Sequence, residues 1–227
     1  MDSFYAGAYW RARQESVEEC TERLARFMSA LEKIDPLFGS WFEKGRSRKG
    51  ALRTPIAIER PVLREKLLAG RNRTDFAPRQ VIEELGFSFW PWNGQKSSVG
   101  LSVHCGAYSE RVGNNVVIGL PYLEQLEGVM DVAFATRLIA AMVECWDPAW
   151  ATVSSSDLRT SQDQPIGSVV VGFVTYVRSS RRVGPLLLPK GVTRRPLHYG
   201  ELLTIGNDPL NVDRVAAIKL ASHLNRA

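Results

Sequence analysis

His104 and Cys105 stand side by side, the juxtaposition that a nucleophile and its base would need. Neighbouring residues on a strand point to opposite faces, so the two cannot act together in an extended segment. Ser102 and His104 do share a face. Their Cβ atoms would lie about 7 Å apart on an extended strand, beyond a direct hydrogen bond. The other histidines, His198 and His223, have no Cys, Asp or Glu at the spacing of a metal motif. Glu18-Glu19 and Glu83-Glu84 are adjacent pairs whose side chains diverge on a helix. Gly45 and Gly50 flank a basic run that lacks the Gly-Lys-Ser/Thr ending of a phosphate loop. Glu43-Lys44 lacks the Glu-x-Lys spacing common at nuclease strand ends. These patterns point away from an enzyme, a metal centre, a cofactor and a small-molecule substrate.

The elements that hold these residues are easier to read. In Ser98 to Cys105, Val99, Leu101, Val103 and Cys105 alternate with Ser98, Gly100, Ser102 and His104, the period of a half-buried strand. Phe87 to Trp92 precedes it and Val116-Val117-Ile118 follows, with Asn93-Gly94 and Gly113-Asn114-Asn115 as turns. A three-stranded antiparallel meander from Phe87 to Pro121 is expected, its first link a tight hairpin. Trp90 and Trp92 would share one side of its first strand, Phe87 and Phe89 the other.

Around that meander the sequence predicts helices and further strands. Phe4 to Trp10 is aromatic-rich and short, a strand that joins the sheet. Ser16 and Glu19 have capping-box spacing, and Val17, Cys20, Leu24, Phe27, Met28, Leu31 and Ile34 trace a core face up to Asp35-Pro36. Short helices are expected at Pro61 to Ala69, closed by Gly70, and at Pro78 to Leu85, closed by Gly86. Met130 to Cys145 reads as a central, covered helix, ended by Asp147-Pro148. Ala149 to Val153 and Val169 to Val177 read as strands, with Ser154 to Gln164 a polar loop between them. Pro185, Pro189 and Pro196 predict an irregular stretch. Leu202 to Ile205 is a last strand, and Ala217, Leu220, Ala221 and Leu224 mark a terminal helix. The expectation is an α+β fold: a mostly antiparallel sheet with a central meander, covered by two or three longer helices and several short ones. With 227 residues and 44% hydrophobic content, 1-227 can bury one core as a single domain.

Charge is uneven along the chain. The formal net charge is +5. Lys44 to Arg73 holds ten Lys/Arg against Glu59 and Glu65, and Arg178 to Arg195 six Lys/Arg with no acid. Glu124 to Asp163 is the reverse, with seven acids against Arg137 and Arg159. Such asymmetry suits a protein that meets a charged partner on one face. Glu124, Glu127, Asp131, Asp157 and Asp163 are the first candidate partner-binding set. Lys44, Arg46, Arg48 and Lys49, with Trp41 beside them, are the alternative, and would also serve a nucleic-acid-binding reading through the basic segment 44-73. Phe4 follows Met1-Asp2-Ser3 without the charged and apolar regions of a signal peptide, no run spans a bilayer, and Cys20, Cys105 and Cys145 lie in apolar patterns. A cytoplasmic protein with reduced thiols, away from the membrane, is expected.

Tyr5-Ala6-Gly7-Ala8-Tyr9-Trp10 and the helix after it, Trp41-Phe42-Glu43-Lys44-Gly45, Gly70-Arg71-Asn72-Arg73, Gly86-Phe87 to Gly94, Leu101 to Gly106 and Asn115 to Pro121 together resemble immunity protein family 52 of bacterial polymorphic toxin systems. The resemblance covers most of the chain and rests on structural residues. It implies a cytoplasmic α+β immunity protein that binds and neutralises a cognate toxin with a restriction-endonuclease-like nuclease domain, often delivered by type VI secretion. It brings no catalytic or ligand residues. An inhibitor seated in a phosphate-binding groove would be acidic, which is why the acidic set is named first. The net positive charge of the chain speaks for the basic set instead.

Overall fold

A computed structural model of the protein describes residues 3–122, 125, 129–181 and 188–225. Its strands are β1 (Phe4–Trp10), β2 (Phe87–Phe89), β3 (Gly100–Cys105), β4 (Asn114–Gly119), β5 (Trp150–Ser155), β6 (Val174–Arg178), β7 (Val192–Leu197) and β8 (Gly200–Ile205). Its helices are α1 (Val17–Ile34), α2 (Arg48–Ala51), α3 (Arg60–Ala69), α4 (Val132–Trp146), α5 (Ser156–Ser161) and α6 (Arg214–Leu224). The architecture is α+β, with one sheet in the order β2-β3-β4-β1-β5-β6-β8-β7 and its meander intact as β2-β3-β4. The chain forms two compact units, Tyr9–Ile118 and Met1–Ala8 with Gly119–Ala227.

In the Tyr9–Ile118 unit, α1 starts where the capping box requires. The Glu19 backbone N–H donates to Ser16 Oγ at 3.2 Å, and the Ser16 N–H donates to the Glu19 carboxylate at 2.7 Å. Cys20, Leu24, Phe27, Met28 and Leu31 are fully buried along one face. α1 packs against α3, and two ion pairs brace the contact: Arg60 Nε to Glu22 at 2.5 Å and Arg64 Nε to Glu18 at 3.0 Å. Along β3, Leu101, Val103 and Cys105 are buried while Ser102 and His104 are half-buried, as the alternation predicts. β4 does the same with Val116 and Ile118 buried.

Three expectations for this unit need correction. Asn93-Gly94 is not a two-residue hairpin. Asn93 is fully buried and organises a longer loop, donating to the carbonyls of Leu37 and Ser97 and accepting from the N–H groups of Gln95 and Val99. The helix expected over Pro78 to Leu85 shrinks to one 3-10 turn, Glu83–Leu85. Its backbone is used elsewhere: Thr74 N–H donates to Gln80 O, Ile82 N–H donates to Asn72 O, and Arg73 bridges Val81. The strand carrying Phe87 and Phe89 stops before Trp90, which is 51% exposed, whereas Trp92 bridges both Phe42 and Gly100. The two tryptophans therefore do not form one face.

In the other unit, Asp131 caps α4 by accepting from Phe134 N–H at 2.6 Å, and Asp147, at φ 48°, ends it in the left-handed region. α4 packs on β5 and β6 and is buried at Phe134, Leu138, Ile139 and Met142. The polar stretch after β5 is α5 rather than a loop, capped by Ser155, whose Oγ accepts from Leu158 N–H. The strand expected over Val169 to Val177 begins only at Val174. Ahead of it the backbone is held by the buried Gln162, whose amide donates to Val171 O and accepts from Val171 N–H.

Pro196 lies inside β7, not in an irregular stretch. The Gly206 N–H donates to Gly191 O, so the bonded partners along this antiparallel pair are Thr193, Arg195 and Leu197. Val192, Arg194 and Pro196 face the outer edge, where a proline removes no ladder hydrogen bond.

Candidate partner-binding surface

The catalytic candidates resolve into a structural pair. His104 Nδ1 lies 2.9 Å from Ser88 Oγ, not Ser102, because β2 and β3 place Ser88 opposite His104. Burial holds the imidazole below its ordinary pKa, and its Nε2 meets no hydrogen-bond partner. Cys105 instead faces Cys20, whose hydrogen bond, together with burial, raises the Cys105 thiol well above its ordinary value. Cys20, Cys105 and Cys145 are free and buried. No group of three or more His, Cys, Asp or Glu among the described residues could hold a metal ion. A groove of about 470 Å³ beside α6 is lined in part by Lys190, Asp213, Val215, Lys219 and His223.

Of the acidic set, Asp131, Asp157 and Asp163 lie among the described residues. Glu124 and Glu127 lie outside them. Asp131 spends its carboxylate on the α4 cap, and Asp157 forms an ion pair with Arg214. Asp163 is exposed past the end of α5, at φ 45°.

The basic segment divides sharply when its ion pairs are traced. Arg60 and Arg64 are engaged by Glu22 and Glu18, and Lys66 by Glu43 at 2.5 Å. Each hydrogen bond leaves its mark on titration: Glu18 is lowered by Arg64, Glu22 by Arg60, and Lys66 is raised by Glu43. Glu18 and Glu22 stand four apart on α1 and Arg60 and Arg64 four apart on α3, so each pair lies on one side of its helix.

What remains is an excursion between Phe42 and Pro55, which bridge each other at its base. Ser47 caps α2 within it, its Oγ accepting from Gly50 N–H, and Arg48 donates to Gly94 O at 3.0 Å. Lys44, Arg46, Arg48, Lys49 and Arg53 are all exposed on it. Trp41, read as part of the accessible set, is only 2% exposed and roots the excursion in the core. Phe42 and Trp92 are half-buried, their ring centroids 6.4 Å apart. Leu52, 37% exposed, and Arg53 belong with the basic set, although the sequence reading stopped at Lys49.

No curated protein matches the sequence. Among solved structures, T6SS protein PA0821 of Pseudomonas aeruginosa shares the fold at a TM-score of 0.58 and 12% identity, over 100% of this chain and 73% of that one. The family model for immunity protein 52 matches residues 2–227. The chain therefore belongs to the immunity protein 52 family.

Proposed function

We propose that this protein binds and neutralises a cognate nuclease-type toxin, protecting the cell that makes both. The family match across residues 2–227 carries the reading. A type VI secretion setting is supported by the fold shared with a T6SS protein. The toxin is a restriction-endonuclease-like domain, met in the cytoplasm.

The test is a protection assay. The nuclease-like toxin encoded beside this gene is induced in a bacterial host with and without this protein, and growth and chromosomal integrity are followed. Rescue, with the two proteins co-purifying as a stable complex, is the expected result. Intact expression of both partners without rescue would reject the reading.

A further inference from the structure

We infer that the excursion from Phe42 to Pro55 is the element that docks on the toxin, and that it does so against an acidic surface of that protein rather than its phosphate-binding groove. This rests on the immunity reading above and names the contact it uses.

Between residues 44 and 58 the sequence has five basic side chains and no acid. Further along the same basic segment, the α3 cations Arg60, Arg64 and Lys66 are met by carboxylates of the same unit. Lys44, Arg46, Lys49 and Arg53 have no such partner among the described residues, and all four are exposed. Holding four like charges together raises the energy of the free protein, and an anionic partner relieves it.

The second point is order. A charge run that merely solvates a loop needs no framework, but this one has four ties. Trp41 is buried at its root, Phe42 and Pro55 bridge at its base, Ser47 caps its single helical turn, and Arg48 reaches Gly94 O. Gly94 itself is tightly enclosed, since a Cβ there would lie 2.7 Å from the Phe42 ring and 2.9 Å from Leu52. Such a framework holds the cations in place before the partner arrives, lowering the ordering cost of binding. Leu52 adds an exposed apolar contact among them.

The third point selects the partner class. Single-stranded nucleic acid is held by cations interleaved with accessible aromatic rings. Here Trp41 is buried and Phe42 is turned against Trp92, so the arm offers charge without a stacking platform. An acidic protein surface asks for charge and shape alone.

The experiment uses a catalytically inactive form of the toxin domain encoded beside the gene, and a plain DNA duplex as second probe. Wild-type protein is compared with Lys44→Glu/Arg46→Glu/Lys49→Glu/Arg53→Glu and with the same four positions changed to Gln, keeping Arg48 because it braces the arm. Circular dichroism and a thermal melt establish that each variant folds, and the Gln set is read if the Glu set does not. The expected result is a Kd for the toxin weaker by about 100-fold in the Glu set and less in the Gln set, with wild-type affinity falling as salt rises. Wild-type binding that both folded variants retain would overturn the assignment of the arm while leaving the immunity reading intact. Arm-dependent duplex binding of comparable strength would overturn the acidic-protein assignment in favour of nucleic acid. A wild type that binds no toxin would remove the immunity reading, and this inference with it.

Discussion

Ser88 Oγ and His104 Nδ1 lie 2.9 Å apart on facing positions of β2 and β3, tying the first two strands of the meander on the face away from Leu101 and Val103. Burial keeps the His104 imidazole neutral at pH values where an exposed histidine is charged. As pH falls through the ordinary histidine value of 6.5, the unfolded chain takes up this proton before the folded one does. The contribution is present above that pH and is lost below it. The urea midpoint of the wild type should therefore drop between pH 7.5 and pH 5.5, and His104→Gln should flatten part of that slope. An unchanged slope in the variant would show that His104 is not the group responsible.

Gly70 closes α3 against β2 at a distance that admits no side chain. A Cβ there would sit 1.7 Å from Ser88 O. Gly70→Ala should cost about 3 kcal/mol, at the upper end for overpacking, because the obstacle is backbone. Gly100 has open space around its missing Cβ, so Gly100→Ala is the matched control and should stay within about 0.5 kcal/mol of the wild type. Chemical denaturation of the two variants measures the difference.

Removing the side chain of Asn93 should unpin the loop from 93 to 99. Asn93→Ala removes the partner of two carbonyl groups and two N–H groups, the Val99 N–H among them buried, that the amide now satisfies. The expected loss is about 3 kcal/mol, and amide exchange at Gln95 and Val99 should quicken. Wild-type exchange rates there would show that other groups hold the loop.

The thiols should be silent in the native protein. Cys20, Cys105 and Cys145 are buried, and Cys105 is further disfavoured as a thiolate by its contact with Cys20. At pH 8 a thiol-specific reagent should label none of them within minutes, and all three once the chain is unfolded. Rapid native labelling at Cys105 would contradict its burial.

Local signals in the sequence carried through to the structure. The Ser16 and Glu19 capping box, the alternation in Ser98 to Cys105 and the Asp147-Pro148 stop each depend on residues within a few positions of one another. Features that failed to show were set by distant partners. Residues 80 and 82 lost their helix to the backbone of 72 and 74, and Val171 left the strand for the side chain of Gln162. The candidate surface divides in the same way. A run of cations was visible, but which of them stay unpaired was decided by α1, whose glutamates reach across to α3. Trp41 looked like a contact residue from its neighbours and is core because of what folds over it.

Pro196, at the outer rim of β7, bears on how this protein behaves in company with copies of itself. Among the described strands β7 pairs with β8 alone, and a terminal strand is a template on which another chain can crystallise its own backbone, the first step toward amyloid-like stacking. With no N–H at 196, an incoming strand finds a gap where a continuous zipper needs a donor. A chain so edged resists self-templating as its concentration rises, a useful trait in any protein kept in store by its cell.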